Sequence, residues 1–313
     1  MAKALLFDAS KCTACRGCQA ACKQWWELPG TGTTNTGSYE NPPDLSSETW
    51  LKIKFNEVKE GDKVRWVFTR QSCMHCTEAV CVWVCPTGAR QYNEQGGITI
   101  DQNRCIACGR CATYCPFSIP RFGNHNVTWR LPAKVGVPKM VTYQCILCPD
   151  RIQSGQEPAC AKTCPTDAII FGERSELVEK GKARVSAIKA KYPDAYLYGE
   201  NELGGLHVMY ILTDKPTVHG LPESPKMEGT YPEYKPNDFP AWYRQAVADE
   251  TLSASPENAK PEWYMQPKLV FPPPAPRLTF NKDLATYSAL AVLATGVGGV
   301  TWWIIKRRMG VQK

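Results

Sequence analysis

The sequence predicts an α+β protein built from two similar halves and followed by one membrane-spanning helix. Two observations carry that expectation. All 16 cysteines of the 313 residues fall into four groups of four, at C-x2-C and C-x3-C spacings, with none left over. Near the C-terminus, Leu284–Ile305 is a run of 22 residues without a charge.

The most regular group is Cys105, Cys108, Cys111 and Cys115, followed by Pro116. This C-x2-C-x2-C-x3-C-P run is the one that binds iron–sulfur clusters in bacterial ferredoxins. Three cysteines at that spacing curl around one cubane, and the fourth, one helical turn on, reaches a neighbouring cluster. The first group, Cys12, Cys15, Cys18 and Cys22, has the same spacing but is followed by Lys23. The second, Cys73, Cys76, Cys81 and Cys85, is two residues longer in the middle and ends on Pro86. The fourth, Cys145, Cys148, Cys160 and Cys164, carries the insertion Pro149–Ala159 and ends on Pro165. Four such runs predict two ferredoxin-like modules holding four 4Fe–4S clusters. Structural zinc would also use four cysteines per site, but as two pairs closing a tetrahedron, without a third and fourth cysteine in this register.

Composition removes other classes. Disulfide scaffolds belong to short secreted chains with widely scattered cysteines. The net charge of +7 comes without a Lys/Arg block or nucleic-acid module, so no nucleic-acid partner is expected. No nucleophile–base constellation, phosphate-binding Gly loop or small-molecule substrate site is visible. No apolar segment or twin-arginine pair precedes Cys12, so no export signal of its own is expected.

Taken in order, Ala4–Phe7 reads as a short strand into the first group. Trp25 and Trp26 follow that group and read as core or interface. Gly30–Gly37, extended by Pro42 and Pro43, has no apolar period and reads as a loop suited to docking. Trp50–Phe55 and Val64–Arg70 flank Gly61-Asp62 and predict a hairpin. A second hairpin is expected from Pro86–Tyr92 and Gly96–Asp101, and a strand from Ala168–Gly172. Residues 173–192 are rich in helix formers, and Tyr196–Tyr198 and Leu206–Leu212 read as strands. Prolines are frequent from Pro216 to Arg277, which predicts an extended connector. The expected divisions are therefore a cluster domain at 1–172, an α/β extension packing on it at 173–222, a connector at 223–283, the transmembrane helix at 284–305 and a basic tail at 306–313. At about 1.5 Å per residue the apolar run spans roughly 33 Å, enough for a hydrocarbon core of about 30 Å. Tyr287 at one end and Trp302-Trp303 at the other suit an aromatic belt, and Ala291, Thr295, Gly298 and Gly299 suit packing on partner helices. His75 lies within the second group, as a donor to a cluster sulfur or a packed neighbour, while His125, His207 and His219 have no ligand spacing.

The chain resembles a known family. Its four-group pattern is similar to the electron-transfer subunits of molybdenum or tungsten bis-pterin oxidoreductases, and most to the β subunit of membrane-bound formate dehydrogenase. The resemblance rests on Cys15-Arg-Gly-Cys-Gln-Ala-Ala-Cys-Lys-Gln-Trp25, Ser72-Cys-Met-His-Cys76 and Gly155-Gln-Glu-Pro-Ala-Cys-Ala-Lys-Thr-Cys-Pro165. It rests further on Gly204-Gly-Leu-His-Val-Met-Tyr210 and His219-Gly-Leu-Pro-Glu223. It implies a ligand set for each cluster. The first takes Cys12, Cys15, Cys18 and Cys164, and the second Cys22, Cys145, Cys148 and Cys160. The third takes Cys73, Cys76, Cys81 and Cys115, and the fourth Cys85, Cys105, Cys108 and Cys111. It also implies a relay of single electrons, with the chemistry itself on another subunit. A molybdenum or tungsten catalytic subunit lies at the first cluster and a haem b membrane subunit meeting quinone at the fourth. Hydrogenase, nitrate reductase and polysulfide reductase complexes use similar relays, so the catalytic partner stays open at this point. The resemblance places the cluster domain outside the cytoplasmic membrane. The charges agree only weakly: Lys306, Arg307, Arg308 and Lys313 follow the apolar run, against Lys268, Arg277 and Lys282 before it.

Overall fold

The computed structural model describes residues 2–35, 37–123 and 141–225. The connector beyond residue 225, the apolar run 284–305, the basic tail and His125 lie outside the described residues. No described helix is long and apolar enough to cross a membrane.

A four-stranded sheet ties the two ends of the described chain together. Its strands are β1 (Lys3–Asp8), β8 (Ile169–Glu173), β9 (Tyr196–Tyr198) and β10 (Val208–Leu212), in the order β8-β1-β10-β9. β1 runs antiparallel to β8 and parallel to β10, with Leu5 opposite both Phe171 and Val208. Ala4–Phe7 is apolar at every position because both faces of the sheet are covered. Alternate residues go to opposite sides. Ala4 and Leu6, with Met209 and Ile211, pack with Leu177, Val178 and Ile188 of α6 (Arg174–Ile188). Leu5 and Phe7, with Val208, Tyr210 and Leu212, join the core that contains the cysteines. The segment after residue 172 thus completes the sheet that β1 begins. Helix α6 is shorter than expected from 173–192. Lys191 and Tyr192 both donate backbone N–H bonds to the Ile188 carbonyl, a terminal turn before Pro193.

The first expected hairpin is β2 (Lys52–Glu60) and β3 (Lys63–Gln71), paired from Lys52↔Gln71 to Glu60↔Lys63 around Gly61-Asp62. Gly61 takes a φ of +61°, as such a two-residue turn requires. One face carries Phe55, Trp66 and Phe68 in mutual edge and stacked contacts, with Tyr39 from the preceding loop 4.9 Å from Trp66. The guanidinium of Arg16 lies 4.8 Å over the Phe55 ring and ties the hairpin to the first cysteine group. The second hairpin is β4 (Arg90–Tyr92) with β5 (Ile98–Ile100). A further short pair, β6 (Arg121–Gly123) with β7 (Val141–Tyr143), was not anticipated.

The remaining helices all carry cysteines or flank them: α1 (Gly17–Trp26), α2 (Val80–Trp83), α3 (Arg110–Thr113), α4 (Pro149–Gln153) and α5 (Ala159–Lys162). Helix α1 packs on α5 and α2 packs on α3, which joins the first group to the fourth and the second to the third. Trp25 and Trp26 are core residues. Trp25 donates its Nε1 hydrogen to Asp150 Oδ2 at 3.0 Å, and Trp26 lies 5.6 Å from Trp50.

Buried His219 links β3 to the end of β10. Its Nδ1 lies 2.8 Å from Thr69 Oγ1, and its Nε2 accepts the Thr213 backbone N–H at 3.3 Å. Burial lowers its pKa to about 4, with Asp214 pulling the other way. Between about pH 4 and the ordinary histidine value near 6.5 the unfolded chain therefore binds the extra proton. Stability from this site is complete above that window and is lost as pH falls through it. His219→Gln removes the titration. We predict that the wild type's advantage over the variant, read from denaturant midpoints, shrinks by up to about 3 kcal/mol between pH 7 and 4. A difference constant across that range would contradict the assignment.

Candidate iron–sulfur centres

Each C-x3-C spacing lands on a helix. Cys18 and Cys22 both lie on α1, while Cys81, Cys111 and Cys160 lie on α2, α3 and α5 with their partners just beyond the helix end. The residue after the last cysteine decides helix length. Lys23 lets α1 run for 10 residues, whereas Pro86, Pro116 and Pro165 confine the other three to 4 residues each.

Each leading C-x2-C loop bends the same way. The residue before its second cysteine has a positive φ in all four: Ala14 at 52°, His75 at 50°, Ala107 at 55° and Leu147 at 63°. None of these is glycine, so each loop holds a conformation that L-residues disfavour. Such strain persists only where the surroundings impose it, and it clusters at functional sites. Turns of this kind also aim successive backbone N–H groups into one concavity that suits an anion, including iron–sulfur sites. The N–H of Ala14 approaches Cys12 Sγ at 3.5 Å, and that of His75 approaches Cys73 Sγ at 3.4 Å.

The cysteines gather into four sets. Cys12, Cys15, Cys18 and Cys164 wall one cavity together with Phe7, Arg16 and Ile53. Cys85, Cys105, Cys108 and Cys111 wall another with Arg90, Ile100 and Thr142. In the other two sets the sulfurs are close enough to act on one another electrostatically. Burial first, then the sulfurs of Cys145, Cys148 and Cys160, push the Cys22 thiol well up. Burial, then Cys81 and Cys115, does the same to Cys76, and burial, then Cys81 and Cys76, to Cys73. Neighbouring sets also feel each other: Cys18 feels Cys160, Cys73 feels Cys145, and Cys81 feels Cys111 and Cys85. The sets therefore form a row. Cys15 of the first set is exposed, Cys76 and Cys115 of the third and Cys85 and Cys108 of the fourth are half-buried, and Cys22, Cys145, Cys148 and Cys160 of the second are all buried.

This donor set fits cubanes. Among the described residues, no three His, Cys, Asp or Glu side chains converge on a point where a single metal ion would sit. Tetrahedral zinc needs its four sulfurs about 2.3 Å from one centre. In the first and fourth sets the sulfurs surround cavities instead, and backbone N–H groups that suit a larger anion approach Cys12 and Cys73.

Residues 64–174 match the family described as a 4Fe–4S dicluster domain, and residues 11–89 match a second family of the same description. The chain is 39% identical over 237 residues to the formate dehydrogenase-O iron–sulfur subunit of Escherichia coli, covering 74% of this chain and 75% of that protein. The chain belongs to the iron–sulfur subunits of formate dehydrogenases. It is also 39% identical to the formate dehydrogenase iron–sulfur subunit of Haemophilus influenzae, over 72% of this chain and 70% of that one. Identity to the formate dehydrogenase 2 subunit beta (cytochrome c-553) of Nitratidesulfovibrio vulgaris is 34%, over 69% of this chain and 95% of that protein.

One further feature of this iron–sulfur subunit was not read from its sequence. Arg70 and Arg90 are wholly buried among the cysteines, although arginine is ordinarily a surface residue. His75 is buried as well: its Nδ1 accepts the Ile98 backbone N–H at 2.8 Å, which fixes the neutral ring's hydrogen on Nε2, and Nε2 has no partner among the described residues. His207 instead bonds the Lys3 carbonyl through Nδ1 at 2.7 Å, and its ring lies where a Cβ on Gly96 would sit.

The loop strain is directly testable at Ala107, where a side chain beyond the methyl adds only cost. Ala107→Val is expected to lower the stability of the cluster-loaded protein by about 1–2 kcal/mol, and Ala107→Gly to leave it within about 1 kcal/mol of wild type or raise it. Chemical denaturation followed by loss of cluster absorbance measures both. Equal losses in the two variants would contradict the strained-loop account.

Proposed function

We propose that this subunit holds four 4Fe–4S clusters in a row and relays single electrons from a molybdenum or tungsten catalytic subunit to a cytochrome b-type membrane subunit and its quinone. The chain's electron-transfer role in a formate dehydrogenase complex follows from its family. The succession of four neighbouring cysteine sets, with Cys15 exposed in the first, is the single observation that supports the finer reading.

Bound clusters would supply one-electron carriers, so that a two-electron oxidation of formate on the catalytic subunit is passed on in single steps. The protein's own part is positional. Cys12, Cys15, Cys18 and Cys164 would hold the first cluster, where Arg16 reaches from the cysteine loop over Phe55 of the hairpin. Cys22, Cys145, Cys148 and Cys160 would hold the second, and Cys73, Cys76, Cys81 and Cys115 the third. Cys85, Cys105, Cys108 and Cys111 would hold the fourth. Backbone N–H groups of the strained loops stabilise the charge on the sulfurs, and the apolar core keeps water away. Iron and acid-labile sulfide on the intact complex test the count. About sixteen of each per copy of this chain are expected; about eight irons with bound zinc would refute it.

We further propose that Leu284–Ile305 anchors the chain in the cytoplasmic membrane, with the cluster domain outside and the C-terminus inside. The uncharged length, the aromatic residues at both ends and the basic tail support the anchor. Loaded with clusters, the folded chain would cross bound to a partner bearing a twin-arginine signal, and its own helix would stop the transfer. Protease added to intact spheroplasts should digest the chain before Leu284 and spare a tag placed after Lys313. A cut tag with a surviving cluster domain would reverse the orientation.

A further inference from the structure

Two arginines occupy the interior at the junctions between cysteine sets. Arg70, near the end of β3, is 0% exposed, and Arg90, at the start of β4, is 2% exposed. Neither forms an ion pair with a carboxylate among the described residues. Their oxygen partners are neutral: Arg70 Nη1 donates to Ser72 Oγ, and Arg90 donates to Gln144 Oε1 and, at 2.9 Å, to Thr142 Oγ1. In both residues the Nε hydrogen has no acceptor among the described residues. A buried, always-protonated guanidinium without an anion would cost several kcal/mol. Among the described residues, the groups that remain to balance the charge are sulfurs. Arg70 Nη2 approaches Cys160 Sγ at 3.8 Å, and Arg90 lines the cavity walled by Cys85, Cys105, Cys108 and Cys111.

Each arginine also faces two sets at once. Burial works against the charge of Arg70, but Cys160, then Tyr210, then Cys145 from the same set as Cys160 and Cys18 from the next favour it. Burial works against Arg90 in the same way, and Cys111 and Cys85 from the last set, with Cys81 from its neighbour, outweigh it. The two residues are not equivalent in sequence, since one precedes the second cysteine group and the other follows it. They arrive at the same relation to the row from opposite directions, one guanidinium for each half.

We infer that Arg70 and Arg90 are redox-positioning residues, each supplying the buried positive charge that raises the reduction potential of the two clusters it lies between. The inference rests on the four-cluster reading above. Reduction adds one negative charge to a cluster in a low-dielectric interior, and a fixed cation nearby favours that reduced form. Two shared cations, one for each pair, would bring the members of a pair up together, so that no cluster in the row becomes a deep trap or a high barrier for the passing electron.

Potentiometric titration of the intact complex, followed by electron paramagnetic resonance with iron measured per chain, tests this. In Arg70→Gln two of the four midpoints should fall, each by at least tenfold in the reduction equilibrium constant, or 59 mV for one electron. In Arg90→Gln the other two should fall. Arg70→Lys and Arg90→Lys keep the charge and should keep midpoints within threefold of wild type. Loaded glutamine variants with unchanged midpoints would overturn the inference, as would a fall of all four midpoints in either variant. Lysine variants that shift as far as the glutamine ones, or that lose their iron, would make the residues scaffold rather than charge. A wild-type complex with fewer than four clusters would instead refute the reading on which the inference rests.

Discussion

The structure depends on keeping sixteen sulfurs close together inside a protein in a form that binds iron. A thiolate is the ligand, and burial opposes it. Burial, followed by neighbouring sulfurs, pushes Cys18 up to about 12, and burial alone leads the rise of Cys12 to about 11. A fold that merely gathered these side chains would therefore hold them as neutral thiols. What offsets the cost is positive character brought in from several directions: the metal itself, backbone N–H groups turned inward by residues with positive φ, and two guanidinium groups without a carboxylate partner among the described residues. The sheet, the hairpins and the short helices are the means of delivering those groups to the same place.

The long-range contacts show how the delivery works. The second cysteine loop is clamped by the segment before β10. Leu206 bridges to Cys76, the backbone N–H of Val208 bonds the Met74 carbonyl at 3.0 Å, and the N–H of Thr77 bonds the Gly205 carbonyl at 2.9 Å. Gly204 and Gly205 both have positive φ, and a Cβ on Gly205 would meet the Arg174 guanidinium at 2.2 Å. This explains physically why Gly204–Tyr210, a stretch without a cysteine, carries part of the family resemblance. It is the brace of a ligand loop 130 residues earlier in the chain.

Much of this was legible in the sequence because its signals are local. Gly61-Asp62 between two alternating runs specifies a hairpin, and Ala4–Phe7 specifies a strand covered on both faces. Cysteine spacing specifies which residues sit one helical turn apart. Other features depend on partners far along the chain. Ala14, His75, Ala107 and Leu147 are not residues that seek a left-handed conformation; the site imposes it on them. Arg70 looks like the outer position of an amphipathic strand until the sulfurs beside it are located. The end of α6 at Ile188 was missed because residues 189–192 are as helix-prone as those before them, and the terminal turn is set by backbone bonds and Pro193.

The wall of the first cavity has a consequence for biosynthesis. Three of its sulfurs, Cys12, Cys15 and Cys18, leave the ribosome early, but the fourth, Cys164, lies 152 residues behind Cys12. At translation speeds of about 5–20 residues per second, that gap lasts roughly 8–30 s. During this interval three accessible thiols stand in a half-made site, open to oxidation or to the wrong metal. The parallel partner of β1 emerges later still, since Leu5 pairs with Val208. A chain wired in this order places a demand on the cell: either a protector holds the N-terminal cysteines until the described fold closes, or iron and sulfide are delivered only after synthesis has passed β10.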